Sequence, residues 1–238
     1  MNKILVLDIE TAPITVYTWG LYDISVGLNQ IKEDWYILAW AAKWLNDNKT
    51  IYRDNRKAKD IRNDKSLIVE LAALIEQADG IVTQNGKAFD IKKLNARAVI
   101  HGLPPIRTPR HTDILREGRK VFKFTSHKLA YVTEVLNKIY KKLDHKDYPG
   151  FELWKAIMAG DKKAWISMQK YCIHDVLSTE ETYLKIQPWI KDPAVYGKEK
   201  CRHCGGRTFR SEGMRVTQDK KYRRLYCRAC GRPHKGAI

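Results

Sequence analysis

Two rhythms of apolar and polar positions alternate along the first 190 residues. Ile4, Leu5, Val6 and Leu7 form an unbroken aliphatic run, the signature of a strand buried on both faces, and predict a strand over 3–9. A second strand is expected at 35–45, dense in aromatic and apolar residues, and a short third at Thr50 to Arg53. The rhythm then changes. Leu67, Leu71, Leu74, Ile75 and Ala78 recur at helical spacing, with Asp64 or Ser66 able to cap the start and Gly80 to end it. Ile81 to Thr83 reads as a strand, Gln84-Asn85-Gly86 as a turn, and Ala88 to Ile100 as a helix stopped by Gly102 and the prolines at 104 and 105. His111 to Leu115 suggests a further strand, and helices are expected at 127–137, 151–159 and 162–187, the last between Gly160-Asp161 and Pro188. The pattern predicts an α/β domain over 1–190, with a central mixed sheet flanked by helices. Residues 191–200, with Pro, Gly and charge, read as a linker to a small module at 201–238. The connection Thr11 to Asp34 is long, and its Tyr17, Trp19 and Tyr22 are expected to pack in the core, with stacking on nucleic-acid bases as the alternative.

Charge adds a partner class. The formal net charge is +17, and residues 198–238 hold five Lys and eight Arg against three acids. Such a field attracts polyanions, of which nucleic acid is the commonest for a soluble protein; a solvated basic surface is the alternative. No apolar run approaches the ~18 residues of a membrane span, so no membrane partner is expected and a cytoplasmic location is.

The first strand closes on Asp8 and Glu10. Residues two apart in a strand share a face, so the two carboxylates lie together, where they repel and lose hydration unless something positive neutralises them. A divalent metal is the simplest answer; a solvated strand end is the other. Asp90 follows Phe89 just inside the helix after the Asn85-Gly86 turn, where the helix dipole alone could explain a carboxylate. Tyr171 and Asp175 stand four apart on the long late helix and so point the same way.

Taken in order, Asp8-x-Glu10, Asn85-x-x-x-Phe89-Asp90 and Tyr171-x-x-x-Asp175 resemble the three motifs of the DEDD (DnaQ-like) 3'-5' exonucleases, in their Tyr variety. The family's catalytic His would stand five before Asp175, where this chain has Lys170. The resemblance covers roughly 1–190 and implies an RNase H-like fold and a two-metal phosphodiester hydrolase using Mg²⁺ or Mn²⁺. It implies that Asp8 bridges both ions, that Glu10 and Asp175 complete the nucleophile site, that Asp90 holds the second ion through water, and that Tyr171 orients the attacking water. Thr11 would contact the terminal nucleotide; Asn85 would contact substrate or serve only its turn. Four oxygen ligands suit such hard ions.

Cys201-x-x-Cys204 and Cys227-x-x-Cys230 have the spacing of a closed tetrahedral site, read as a structural zinc ribbon with one Zn²⁺; a rubredoxin-like iron knuckle is the alternative. Cys172 is expected to be a buried apolar residue. Between the pairs, Arg207, Arg210, Arg215, Lys221, Arg223 and Arg224 interleave with Phe209, Tyr222 and Tyr226, which fits phosphate contacts with stacking. A replication or repair protein docking on the ribbon is the other reading. The expectation is thus a 3'-5' exonuclease acting on DNA, single-stranded by preference. An exoribonuclease and a non-catalytic nucleic-acid adaptor are the competitors, and an RNase H or resolvase-type endonuclease is disfavoured by the acid two residues after the first.

Overall fold

The computed structural model describes residues 3–143, 147–190, 201, 204, 206, 208–216 and 221–236. The expected linker at 191–200, Arg207, and the side chains of Lys221 and Arg223 fall outside the described residues.

A five-stranded sheet organises the larger part of the chain. Its strands are β1 (Ile4–Thr11), β4 (Ile37–Trp44), β5 (Thr50–Asp54), β6 (Gly80–Thr83) and β7 (Arg110–Asp113), in the order β5-β4-β1-β6-β7. β1 is central, antiparallel to β4 and parallel to β6, so the sheet is mixed. Period-two alternation sends Leu5, Leu7 and Ile9 to one face, where they meet Leu67 and Leu71 of α1 (Lys65–Glu76) and Leu94 of α2 (Asp90–Ile100). Ile4 and Val6 face the other way, onto Cys172, Val176 and Tyr183 of a long helix. The helices on the way to it are α3 (Ile114–Val121), α4 (Leu129–Leu136) and α5 (Glu152–Met158), and the long helix itself is α6 (Lys162–Ile186). The expected architecture, a mixed sheet between helices, is the one observed. No helix among the described residues is long and apolar enough to cross a membrane.

Three local expectations change. Strand pattern at 111–115 ends early: the Asp113 carboxylate accepts hydrogen bonds from the Leu115 and Arg116 amides, capping α3, which the apolar pair Ile114-Leu115 concealed. Asp64 does not cap α1 through its side chain. Its fully buried carboxylate instead accepts from the Ile37 amide (2.8 Å), from Arg97 Nε and Nη2 (both 2.8 Å) and pairs with His101 (2.6 Å), tying β4 to α2. Finally, the aromatic residues after Thr11 are not core. β2 (Thr15–Val16) and β3 (Ile31–Glu33) pair as a small ribbon, and beyond it Tyr17, Trp19 and Tyr22 are exposed, with no sheet or helix face over them among the described residues.

The C-terminal strands β8 (Phe209–Val216), β9 (Lys221–Cys227) and β10 (Pro233–Gly236) form a three-stranded antiparallel sheet in the order β10-β9-β8.

Asp64 generates a stability prediction. Burial pushes its carboxyl upward, but the hydrogen bonds from Arg97, Ile37 and His101 outweigh that and hold it below the usual carboxylate value. It therefore stabilises the fold above the unfolded-state value, and the contribution is lost as pH falls through the folded one. Asp64→Ala is expected to lower stability by about 3–5 kcal/mol in urea unfolding at pH 7, because it strands Arg97 without its partner. A loss below ~1 kcal/mol would show the cluster to be incidental.

A carboxylate cluster and a four-cysteine cluster

Pairing along β1 explains where the acids can sit. β6 pairs only with Ile4, Leu5 and Val6, whereas β4 continues beside β1 past Glu10, where the register shifts. From Asp8 onward the β6 side of β1 has no strand partner. The start of α2 fills that place: Asp90, 2% exposed, accepts a hydrogen bond from the Ile9 amide at 3.0 Å. On the β4 side, Asp8 lies opposite Ala41 and Glu10 opposite Ala39, so methyl groups flank the carboxylates and leave room above them.

Asp8 and Glu10 continue the face of Ile4 and Val6 toward α6. There Asp175 meets them, and one carboxylate oxygen from each of Asp8, Glu10 and Asp175 lies within 4.8 Å of the others. Tyr171, one turn earlier on α6, is buried and its ring packs edge-on against Trp154 at 6.3 Å. Cys172, as expected, is buried; its thiol points to the Asp8 carbonyl oxygen at 3.9 Å. Lys170 is exposed.

The electrostatics are those of anions kept close together. Burial first, then the charges of Asp90, Glu10 and Asp175, hold the Asp8 carboxyl well above its usual range. Burial and Asp175 push Glu10 up to about 8, with Lys142 pulling the other way. Burial pushes Asp90 up to about 7 against the opposing hydrogen bond from Ile9. Asp175 Oδ1 is buried without a hydrogen-bond partner among the described residues. An orphaned carboxylate oxygen beside two further carboxylates has the donor set of a hard divalent cation, so the residues fit one.

Two residues at this site escaped the sequence reading. Lys142 reaches in from the α4–α5 connection and donates to both Tyr171 Oη and Asp175 Oδ2 at 2.7 Å. Asp113, 2% exposed, accepts from the Asn85 and Lys87 amides at 3.0 Å besides capping α3, and so fixes the turn that leads to Asp90. Within that turn Asn85 is exposed with φ 66°, a left-handed conformation that suits Asn. At Gly86 a Cβ would lie 2.3 Å from Thr83 Oγ1, so only glycine fits. Thr11 lines a pocket with Trp35, Lys93 and Trp154, beside the acids rather than among them.

The four cysteines also converge. The Sγ atoms of Cys201, Cys204, Cys227 and Cys230 all lie within 4.8 Å of one another, with Cys201–Cys230 at 3.5 Å and Cys204–Cys227 at 3.6 Å. None is disulfide-bonded. A tetrahedral ion with ~2.3 Å bonds to sulfur needs sulfurs at about 3.8 Å, so the spacing fits a tetrathiolate metal site. The Cys201 amide donates to Gly206 O (2.6 Å) and the Gly231 amide to Cys227 O (2.8 Å), closing a knuckle at each pair. Glycine suits 206, where a Cβ would crowd Ala229 Cβ at 3.0 Å and Cys227 Sγ at 3.1 Å. His234 Nε2 lies 3.1 Å from Cys201 Sγ, outside the four-sulfur set. Of the basic candidates, Arg210, Arg215 and Arg224 are exposed, and Arg210 pairs with Glu212 at 2.9 Å.

A mixed sheet whose central strand ends in a carboxylate cluster is the frame of a metal-dependent nuclease. Residues 5–187 match the family model of the RNase_H superfamily, and the chain belongs to that superfamily. Membership supports a nuclease with nucleic acid as substrate and divalent metal as cofactor. Among solved structures the chain is similar to the family B DNA polymerase from the hyperthermophilic archaeon Pyrobaculum calidifontis, with a TM-score of 0.56 and 17% identity over 79% of this chain. That match spans 25% of the polymerase chain and speaks for the fold. The comparison with curated proteins finds no match.

The raised carboxyls set a pH dependence. Without metal, Glu10 and Asp90 hold protons up to about 8 and about 7, so a cation must displace them below those values. Mn²⁺ binding to the acid cluster, followed by calorimetry, is expected to tighten at least ~10-fold from pH 6 to pH 8. By the same sign, the metal-free fold loses stability as pH rises from the unfolded carboxylate range toward 8. Metal affinity flat across that window would mean that the acids are ionised throughout.

Proposed function

We propose that the chain is a divalent-metal-dependent 3'-5' exonuclease of the DEDD type, Tyr variety, hydrolysing single-stranded DNA from its 3' end with Mg²⁺ or Mn²⁺. The observation that carries this reading is the convergence of Asp8, Glu10 and Asp175 within 4.8 Å. It gains support from Asp90, held against the strand that bears two of those acids. A non-catalytic adaptor has no use for like charges gathered where a phosphate must approach. The DNA polymerase neighbour supports DNA over RNA.

In this reading Asp8, Glu10, Asp175 and Asp90 would hold the divalent ions. Ions held there would provide the chemistry of a nucleophilic water at neutral pH and of charge compensation on the leaving oxygen. The protein's own groups do the rest. Burial, with the charges of Asp175, Glu10 and Asp8, pushes the Tyr171 phenol above its usual value, so it stays protonated at pH 7 and orients rather than deprotonates the attacking water. Lys142, bonded to both Tyr171 and Asp175, positions the phenol against the acids. Thr11, in the pocket beside the acids, would contact the terminal nucleotide, and Asn85 would contact substrate or serve only its turn. The four-cysteine unit is a zinc ribbon whose exposed Arg210, Arg215 and Arg224, with Arg207, Lys221 and Arg223, bind nucleic acid; a replication or repair partner on the ribbon is its competing use.

The test is a 5'-labelled single-stranded DNA and an RNA of equal sequence, incubated with Mn²⁺. The expected outcome is a ladder of DNA shortening from the 3' end, abolished by Asp8→Ala and slowed roughly 100-fold by Tyr171→Phe with metal binding retained. Internal cuts would replace the exonuclease by an endonuclease, and RNA degraded faster than DNA would reverse the substrate. For the ribbon, elemental analysis is expected to find one zinc per chain, lost in Cys227→Ser; iron in its place would overturn the assignment.

A further inference from the structure

Directly after Thr11 the chain leaves the central sheet and builds an arm. Its root is the β2–β3 ribbon, where the Tyr17 amide donates to Gln30 O at 2.9 Å and Gln30 Nε2 donates back to Tyr17 O at 3.0 Å. The far end is closed on itself: the Gly27 amide donates to Gln30 Oε1 at 2.8 Å and Thr18 Oγ1 to Gly20 O at 3.1 Å. These bonds hold large apolar side chains in solvent. Trp19 is 104% exposed, Leu21 85%, Tyr22 88% and Leu28 87%. Single exposed apolar residues are ordinary; four on one short hairpin mark a surface that binds something.

Its place and charge identify the partner. The arm grows from the strand that carries Asp8 and Glu10, and at its root opens a pocket of about 320 Å³ lined by Thr11, Ile14, Trp35, Lys93, Phe151 and Trp154. Trp154 packs edge-on against Tyr171, which stands one turn before Asp175 on α6, so the pocket adjoins the carboxylate cluster. The Lys93 ammonium sits 3.7 Å from the Trp35 ring centroid in that pocket, and Lys32 on β3, at the root of the arm, is exposed. The arm itself is nearly uncharged, with Asp23 as the sole charged residue from 11 to 31. Rings on an uncharged hairpin, flanked by lysines, are what unstacked bases and their phosphates require. A second copy of a chain carrying +17 would be repelled.

We infer that the arm at residues 14–28 is a stacking platform for the bases of single-stranded nucleic acid, upstream of the strand end that lies in the Thr11–Trp154 pocket. The inference rests on the exonuclease reading for which end enters the pocket, and on the exposed rings for binding itself. In single-strand complexes each stacked base contributes enough that loss of its ring weakens binding severalfold to a hundredfold.

The experiment uses the full chain carrying Trp19→Ala and Tyr22→Ala, two exposed positions whose loss leaves the core intact. In an Asp8→Ala background, which spares the probe, anisotropy of a labelled 12-nucleotide single-stranded DNA is expected to show Kd raised about tenfold or more. A duplex of the same length, whose bases are already stacked, is expected to bind unchanged. In the Asp8-containing chain, KM for the 12-mer should rise with kcat retained. Hydrolysis of the p-nitrophenyl ester of thymidine 5'-monophosphate, too short to reach the arm, should be unaffected. Single-strand affinity within twofold of the parent, or equal loss on duplex, overturns the inference. So does a wild-type dimer that the double variant dissociates while single-strand affinity stays intact. If neither chain hydrolyses any probe but single-strand Kd still rises, the exonuclease reading fails and the arm stands.

Discussion

The hydrogen bond from the Ile9 amide to Asp90 stands where sheet pairing gives way to the acid site, and the elements around the five-stranded sheet are arranged about it. β1 is paired on both sides through Val6; beyond that, β6 stops and one edge of the central strand would lie buried and unsatisfied. A side-chain carboxylate takes over from a backbone carbonyl. This single substitution of partner brings α2 against the strand end and places an acid there, while leaving the opposite face of Asp8 and Glu10 to α6. Had β6 continued for two more residues, the edge would be satisfied and Asp90 would have no reason to be held there.

Holding the carboxylates so close has a cost that the surroundings distribute. Asp8, Glu10 and Asp90 all have raised proton affinity, and burial is the leading cause in each. Lys142 supplies the nearest positive charge, but it reaches Asp175 and Tyr171 and offsets only part of the repulsion at Asp8 and Glu10. One ammonium cannot satisfy the buried Asp175 Oδ1 as well. The site is therefore stable in two ways: with protons on some of its carboxyls, or with cations between them.

How much of this was legible in the sequence follows from the range over which each residue acts. Asp8 and Glu10 share a face by the period of a strand, and Tyr171 and Asp175 by the turn of a helix; both relations are local and were readable. Their meeting across β1 and α6 came from the order of the motifs, not from any periodicity. Lys142 and Asp113 were not readable, because each acts through loop geometry: one crosses from the α4–α5 connection, the other gathers amides from a turn 26 and 28 residues away. The helix after Asp113 was hidden by its apolar opening, Ile114-Leu115, which continues a strand pattern until the cap is seen. The arm was misread for the opposite reason. Aromatic and aliphatic residues imply burial only when a face exists to cover them, and among the described residues none covers Trp19 or Tyr22.

The distribution of charge completes the physical picture. A phosphate approaching Asp8, Glu10 and Asp175 meets repulsion at short range, so attraction has to come from elsewhere in the chain. Residues 198–238 carry a surplus of ten positive charges, out of a total of +17. Over distances near a Debye length of ~8–10 Å such a surplus concentrates a polyanion without fixing its register. Register must then be set near the acids by contacts that do not depend on charge. The exposed, uncharged rings of the proposed arm would provide contacts of that kind, and the arm grows from the strand on which the acids stand. On the proposed reading, long-range attraction and short-range placement fall to different residues, so salt would weaken the first while leaving the second largely intact.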